Sequence, residues 1–117
     1  MMQPNPYTFK AGDLCELVNF IPGPYVGRAY TRPEPDTLQT VDIIRRGVLM
    51  YIGKSSANDL KAFRWHGIQT VDSPETVRSG GATWYTFLYQ ERFCHLLLRH
   101  HRYVVVGGDG SSIEVIG

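Results

Sequence analysis

Residues 83–98 read Thr83-Trp84-Tyr85-Thr86-Phe87-Leu88-Tyr89-Gln90-Glu91-Arg92-Phe93-Cys94-His95-Leu96-Leu97-Leu98. This stretch decides the fold. β-Branched and aromatic residues suit a pleated, half-buried surface. Two such runs lie either side of a short polar break at Gln90-Glu91-Arg92. That arrangement predicts a β-hairpin, Thr83–Tyr89 against Phe93–Leu98.

Toward the C-terminus, Arg99-His100-His101 reads as a single 3₁₀ turn and Tyr103–Val106 as a strand. Gly107-Gly108-Asp109-Gly110 is a glycine-rich turn before a last strand, Ile113–Ile116. Together they predict an added C-terminal hairpin. Toward the N-terminus, Gly47–Gly53 is a short apolar run bounded by glycines, and it reads as a strand with Val48, Met50 and Ile52 on its core side. Lys10-Ala11-Gly12-Asp13 turns into a strand at Leu14–Val18, with Cys15 and Leu17 inward. Phe87 and Leu96 complete the expected core.

Two long connections separate these strands. Residues 19–46 carry Pro22, Pro24, Pro33 and Pro35, which exclude a continuous helix or a central strand. Thr40–Ile44 is the one extended piece expected there. Residues 54–82 contain a helical turn at Asp59–Phe63, started by the polar group Ser55, Ser56 and Asn58. Met1–Tyr7 is an arm in which Pro4 and Pro6 block a helix.

The chain has 117 residues, one domain's worth spanning 1–117. Twelve Lys and Arg stand against eleven Asp and Glu, for a net charge of +1. So balanced a chain has no general pull toward nucleic acid or anionic lipid. No apolar run approaches the length of a membrane span. The polar, proline-bearing start has no signal-peptide pattern, so synthesis inside the cell is expected, with Cys15 and Cys94 as reduced thiols and no disulfide.

Cys94 and His95 are adjacent on a strand and point to opposite faces, while His100 and His101 sit in a turn, so no metal centre is expected. The Gly107–Ser112 segment lacks the helix and lysine of a phosphate loop. No Gly-x-Ser-x-Gly elbow occurs, and no catalytic residue, cofactor or small-molecule substrate is assigned. Arg92, Arg99, His100 and Arg102, interleaved with Tyr89, Phe93 and Tyr103, form the best basic face, with arginines for phosphates and rings for stacking. Tyr25, Arg28 and Tyr30 in the first long connection, and Arg64, Trp65 and His66 in the second, are the residue types of interface hot spots. Folded back, the same rings would cap the open ends of a barrel. Capping suits Tyr25, and Trp65 fits either role.

Taken in order, Lys10-Ala11-Gly12-Asp13-Leu14, then Gly47-Val48-Leu49-Met50-Tyr51-Ile52, then the aromatic hairpin Tyr85–Tyr89 with Arg92 after its turn, then Leu96–Val106, resemble a recurrent type of small bacteriophage-encoded protein. The resemblance covers about half of the chain. It implies a mostly β fold, an SH3-like barrel with two long inserted loops and the C-terminal hairpin. It also implies a non-catalytic structural or assembly role in the virion, after synthesis in the host cytoplasm. The arm and loops would then dock on neighbouring protein subunits, without a membrane. The alternative is a small nucleic-acid-binding accessory protein using Arg92, Arg99, His100 and Arg102.

Overall fold

A computed structural model describes residues 9–18, 22–71, 74, 77, 81–101, 104–107 and 112–115. Over these residues the chain is mostly β. In order, the elements are β1 Leu14–Val18, β2 Tyr25–Thr31, β3 Gln39–Ile44, β4 Val48–Lys54, the helix α1 Ala57–Trp65, β5 Ala82–Tyr89, β6 Arg92–His101, β7 Val104–Gly107 and β8 Ser112–Val115. The strands form one antiparallel sheet in the order β3-β2-β6-β5-β4-β1-β8-β7. β3 is an open edge, whereas β7 comes back to pair with β6.

The 83–98 hairpin forms as its sequence predicts, from Ala82 paired with Arg99 down to Tyr89 paired with Arg92. Its turn is only Gln90-Glu91, both with positive φ (49° and 62°). That is the backbone of the primed turns, whose twist matches the flanking strands. β6 then runs further than expected. Arg99, His100 and His101 are strand and not a 3₁₀ turn, because β7 supplies them with partners: Val106, Val105 and Val104. One edge of β6 is therefore shared, by β2 at His95 and Cys94 and by β7 from Leu98 onward. β7 and β8 are the expected C-terminal pair, shifted by one residue from the sequence reading.

Two strands run through the first long connection. Val26, Ala29 and Thr31 are buried along β2, and Val41 and Ile43 along β3. The prolines that suggested a loop sit outside these strands. Pro22 and Pro24 precede β2, while Pro33 and Pro35 make the turn after it, where a missing N–H breaks no ladder. The extended piece expected at Thr40–Ile44 is β3. The second connection carries a nine-residue helix around the expected turn. The arm Met1–Tyr7, the turn at 108–111, and Arg102 and Tyr103 lie outside the described residues.

One core lies on the inner face of the sheet: Cys15, Leu17, Leu49, Tyr51, Phe87, Cys94, Leu96 and Leu98, closed over by the β2–β3 hairpin. β4 turns the opposite face to the core from the one its sequence suggests. Val48 is 48% exposed and Ile52 38%, and Met50 is only half-buried, while Leu49 is fully buried and Tyr51 nearly so. Pairing explains the choice. Leu49 stands directly opposite Cys15, and Tyr51 opposite Phe87, so they share the inner face with those residues.

A second, smaller cluster lies on the outer face beneath α1. Trp84 and His95 point outward from β5 and β6, and Tyr30 pairs with His95. Phe63 of α1 is fully buried against them, 4.7 Å from Trp84 and 5.3 Å from His95 between ring centroids. Burying a side chain of this size stabilises by roughly 1.5–3 kcal/mol. That contact seats a helix too short to persist by itself.

Candidate functional site

α1 is defined at both ends by its own sequence. Ser56 Oγ accepts from the Asp59 N–H at 3.2 Å, and Asp59 Oδ2 accepts from the Ser56 N–H at 2.9 Å. This reciprocal capping box satisfies two helix-end donors. At the other end Gly67 adopts φ 78°, and the Ile68 N–H returns to the Phe63 carbonyl at 2.8 Å.

Asp59 has a second task. Its Oδ1 accepts from Arg32 Nη1 at 2.6 Å, and Arg32 Nη2 donates to the Pro35 carbonyl at 2.8 Å. Arg32 thus ties the turn after β2 to the first turn of the helix. His66 Nε2 donates to the Asp36 carbonyl at 3.0 Å and makes a second tie at the helix end. Between the two ties lies a cleft of about 910 Å³, walled by Arg32, Pro35 and Asp36 on one side and by Ser56, Asn58, Lys61, Ala62, Trp65 and His66 on the other. Trp65 stands at its rim, 84% exposed.

Below the Arg32 tie is a buried polar group. His95 is 4% exposed. Its Nδ1 lies 3.0 Å from both Ser55 Oγ and Thr86 Oγ1, which are 3.1 Å from each other. Its Nε2 faces Asp59 Oδ1 at 3.7 Å. A consistent arrangement puts the ring proton on Nε2, toward the carboxylate, and leaves Nδ1 to accept from a hydroxyl. Burial pushes His95 below its usual value; the Asp59 charge opposes this and Arg32 adds to it. For Asp59, burial acts to raise the carboxyl, but the backbone and hydroxyl of Ser56, the Arg32 guanidinium and His95 outweigh it, so the acid is held below its usual range.

Serine, histidine and aspartate in sequence resemble a nucleophile relay, but the geometry does not deliver one. Ser55 Oγ is shared with Thr86 beside a buried ring, and the cleft is lined by Ser56, not Ser55. The thiols offer no better nucleophile. Burial and the nearby Asp13 charge push Cys15 up to about 11, and burial raises Cys94 against the pull of Arg92. Cys94 and His95 do face opposite sides of β6, as strand alternation predicts: Cys94 joins the inner core and His95 the outer cluster.

The residues singled out from sequence are scattered by the fold. Trp65 and His66 line the cleft, and Arg64 beside them donates to Thr70 Oγ1 at 3.0 Å. Tyr30 is packed beneath the helix against Phe63 and Trp84. Arg28 is exposed and paired with Asp42 across the β2–β3 hairpin, and Tyr25 is exposed at the start of β2. Arg92 is exposed next to the β5–β6 turn. Arg99 and His100 are placed in β6 by their backbone, and Arg102 lies outside the described residues. Arg32, Asp59, Thr86 and His95 were missed as a set. The Ser56-x-x-Asp59 spacing is the one sequence signal that leads to them, because it marks the helix start that Arg32 then reaches. The chain matches no family model, no curated protein and no solved structure among those compared.

Proposed function

We propose that this protein is a non-catalytic docking module of a larger protein assembly, and that the cleft between α1 and the 32–36 turn receives a segment of a neighbouring subunit. The observation that carries this reading is Trp65. Its indole is left in water at the rim of a cleft whose two walls are fixed by hydrogen bonds to each other. A large ring in that position yields binding free energy only when a partner covers it. Lys61 and Arg32 on the walls add polar anchors at the cleft's edge. The resemblance read from the sequence makes the assembly a bacteriophage particle, with the protein made in the host cytoplasm and carried in the virion. The SH3-like reading of the fold is supported by the β4–β5–β6 meander, with β1 paired to both β4 and β8. The strand at 99–101 departs from it.

Photo-crosslinking tests the site. A benzophenone side chain placed at position 65, in cells expressing the chain at its native level, is expected to give one discrete adduct with a protein subunit. The same group at Arg28, which is exposed on the β2–β3 hairpin, is expected to give none. Equal patterns from both positions, or no adduct at 65, would remove the cleft from this role.

A further inference from the structure

The cleft is held closed by few contacts, and one of them shares an atom with a buried histidine. Asp59 Oδ1 accepts from Arg32 Nη1 and also faces His95 Nε2. Arg32 is poorly satisfied elsewhere: its Nε is buried and, among the described residues, has no hydrogen-bond partner. An unmet buried donor is costly, so the closed position of Arg32 already carries a penalty.

We propose that the Arg32–Asp59 tie is a proton-operated latch with His95 as its sensor, so that proton uptake at His95 loosens the 33–36 turn from α1 and opens the cleft. This names a regulation of the docking site and rests on the docking reading for its biological use, but the opening itself belongs to the free chain.

The groups facing His95 set the direction. Ser55 comes from the β4–α1 connection, Thr86 from β5, Asp59 and Phe63 from α1, Tyr30 from β2, and Arg32 from just beyond it. Of these, only Asp59 and Arg32 carry charge at neutral pH. A second proton must go on Nδ1, which now accepts from a hydroxyl. Ser55 and Thr86 would then have to turn their oxygens toward it. The resulting imidazolium is a buried cation beside Arg32, with one carboxylate oxygen between the two. Separation of Arg32 from Asp59 relieves that crowding and lets water reach the ring.

Linkage fixes the sign. His95 sits below its usual 6.5 when the cleft is closed, and it returns toward 6.5 when solvated. The open form therefore binds more protons, and acid favours it. If the closed form stays neutral, the open population rises by a factor of 1 + 10^(6.5 − pH), up to about tenfold between pH 7.5 and pH 5.5.

Hydrogen exchange on the isolated chain is the test. Protection factors of the amides in 34–38 and in the first turn of α1 are expected to fall up to about tenfold between pH 7.5 and 5.5, while those in the centre of β5 hold. His95→Phe keeps a ring against Phe63 and is expected to abolish the change. His66→Gln, at the other tie, is expected to keep it. Protection factors independent of pH, or a change that persists in His95→Phe, would overturn the latch. Should the Phe variant not fold, the His95 ring resonance in the unmutated chain decides. Its midpoint is expected below 6.5, at the acid end of the exchange change, and a midpoint at or above 6.5 sinks the proposal. Absence of crosslinking at Trp65 would count against docking alone and would leave the exchange result standing.

Discussion

Leu49 and Val48 are chain neighbours with opposite roles. Leu49 is enclosed between β1 and β5 on the inner face, and Leu49→Ala is expected to destabilise the chain by about 2–5 kcal/mol. Val48 is on the outer face opposite Glu16, and Val48→Ala is expected to cost under about 1 kcal/mol. Urea titration of both variants checks the register in one experiment. A larger loss for Val48→Ala than for Leu49→Ala would mean that β4 is turned the other way up. At Gly47 the constraint is space and not φ: an added Cβ would come within 2.9 Å of the Ile44 carbonyl oxygen and of the Tyr89 ring. Gly47→Ala is therefore expected to cost about 1–3 kcal/mol through forced backbone shifts. A neutral result in thermal denaturation would show that the β3–β4 turn can give way.

Among the elements, the β5–β6 turn is built from unfavourable residues. Gln90 and Glu91 both hold left-handed φ, a conformation that costs an L-residue roughly 1–2 kcal/mol and that Asn-Gly accepts readily. The double replacement Gln90→Asn with Glu91→Gly is expected to raise stability by about 1 kcal/mol or more, read as a higher urea midpoint with unchanged slope. The existence of this hairpin was legible in the sequence because period and composition agreed over both of its strands. The β2–β3 hairpin was not. Its buried positions alternate from Ala29 to Thr31 and from Val41 to Ile43, but Val26 is out of step across a bulge, prolines crowd both ends, and a proline says only that its own position leaves the ladder. The inner face of β4 was unreadable for another reason. Val48 to Ile52 is apolar on both sides, so nothing local chooses between them, and the choice is made by Cys15 and Phe87 on other strands. The cleft was half legible. Trp65 and His66 stood out by type, whereas Arg32 acquires its role only when Asp59 is brought to it from 27 positions away.

At the scale of the molecule, the sheet has two unequal cores. The inner one joins every strand whose side chains are described, and the outer one rests on Phe63. The two should come apart separately. Phe63→Ala is expected to release α1, with loss of amide protection in the helix and in the 32–36 turn, while β5 and β1 remain protected. Simultaneous loss everywhere would show one cooperative unit. The shared edge of β6 has a further consequence, for the time at which the fold can close. Thr31 donates its hydroxyl to the Phe93 carbonyl, 62 positions later in the chain. At the roughly 5–20 residues per second of protein synthesis, β2 waits about 3–12 s for that partner. Throughout that interval β2 and β3 can pair only with each other, and both outer edges of the hairpin stand open on the ribosome. The nascent chain is then most exposed to wrong strand pairing, and the arrival of β6 ends that exposure for β2.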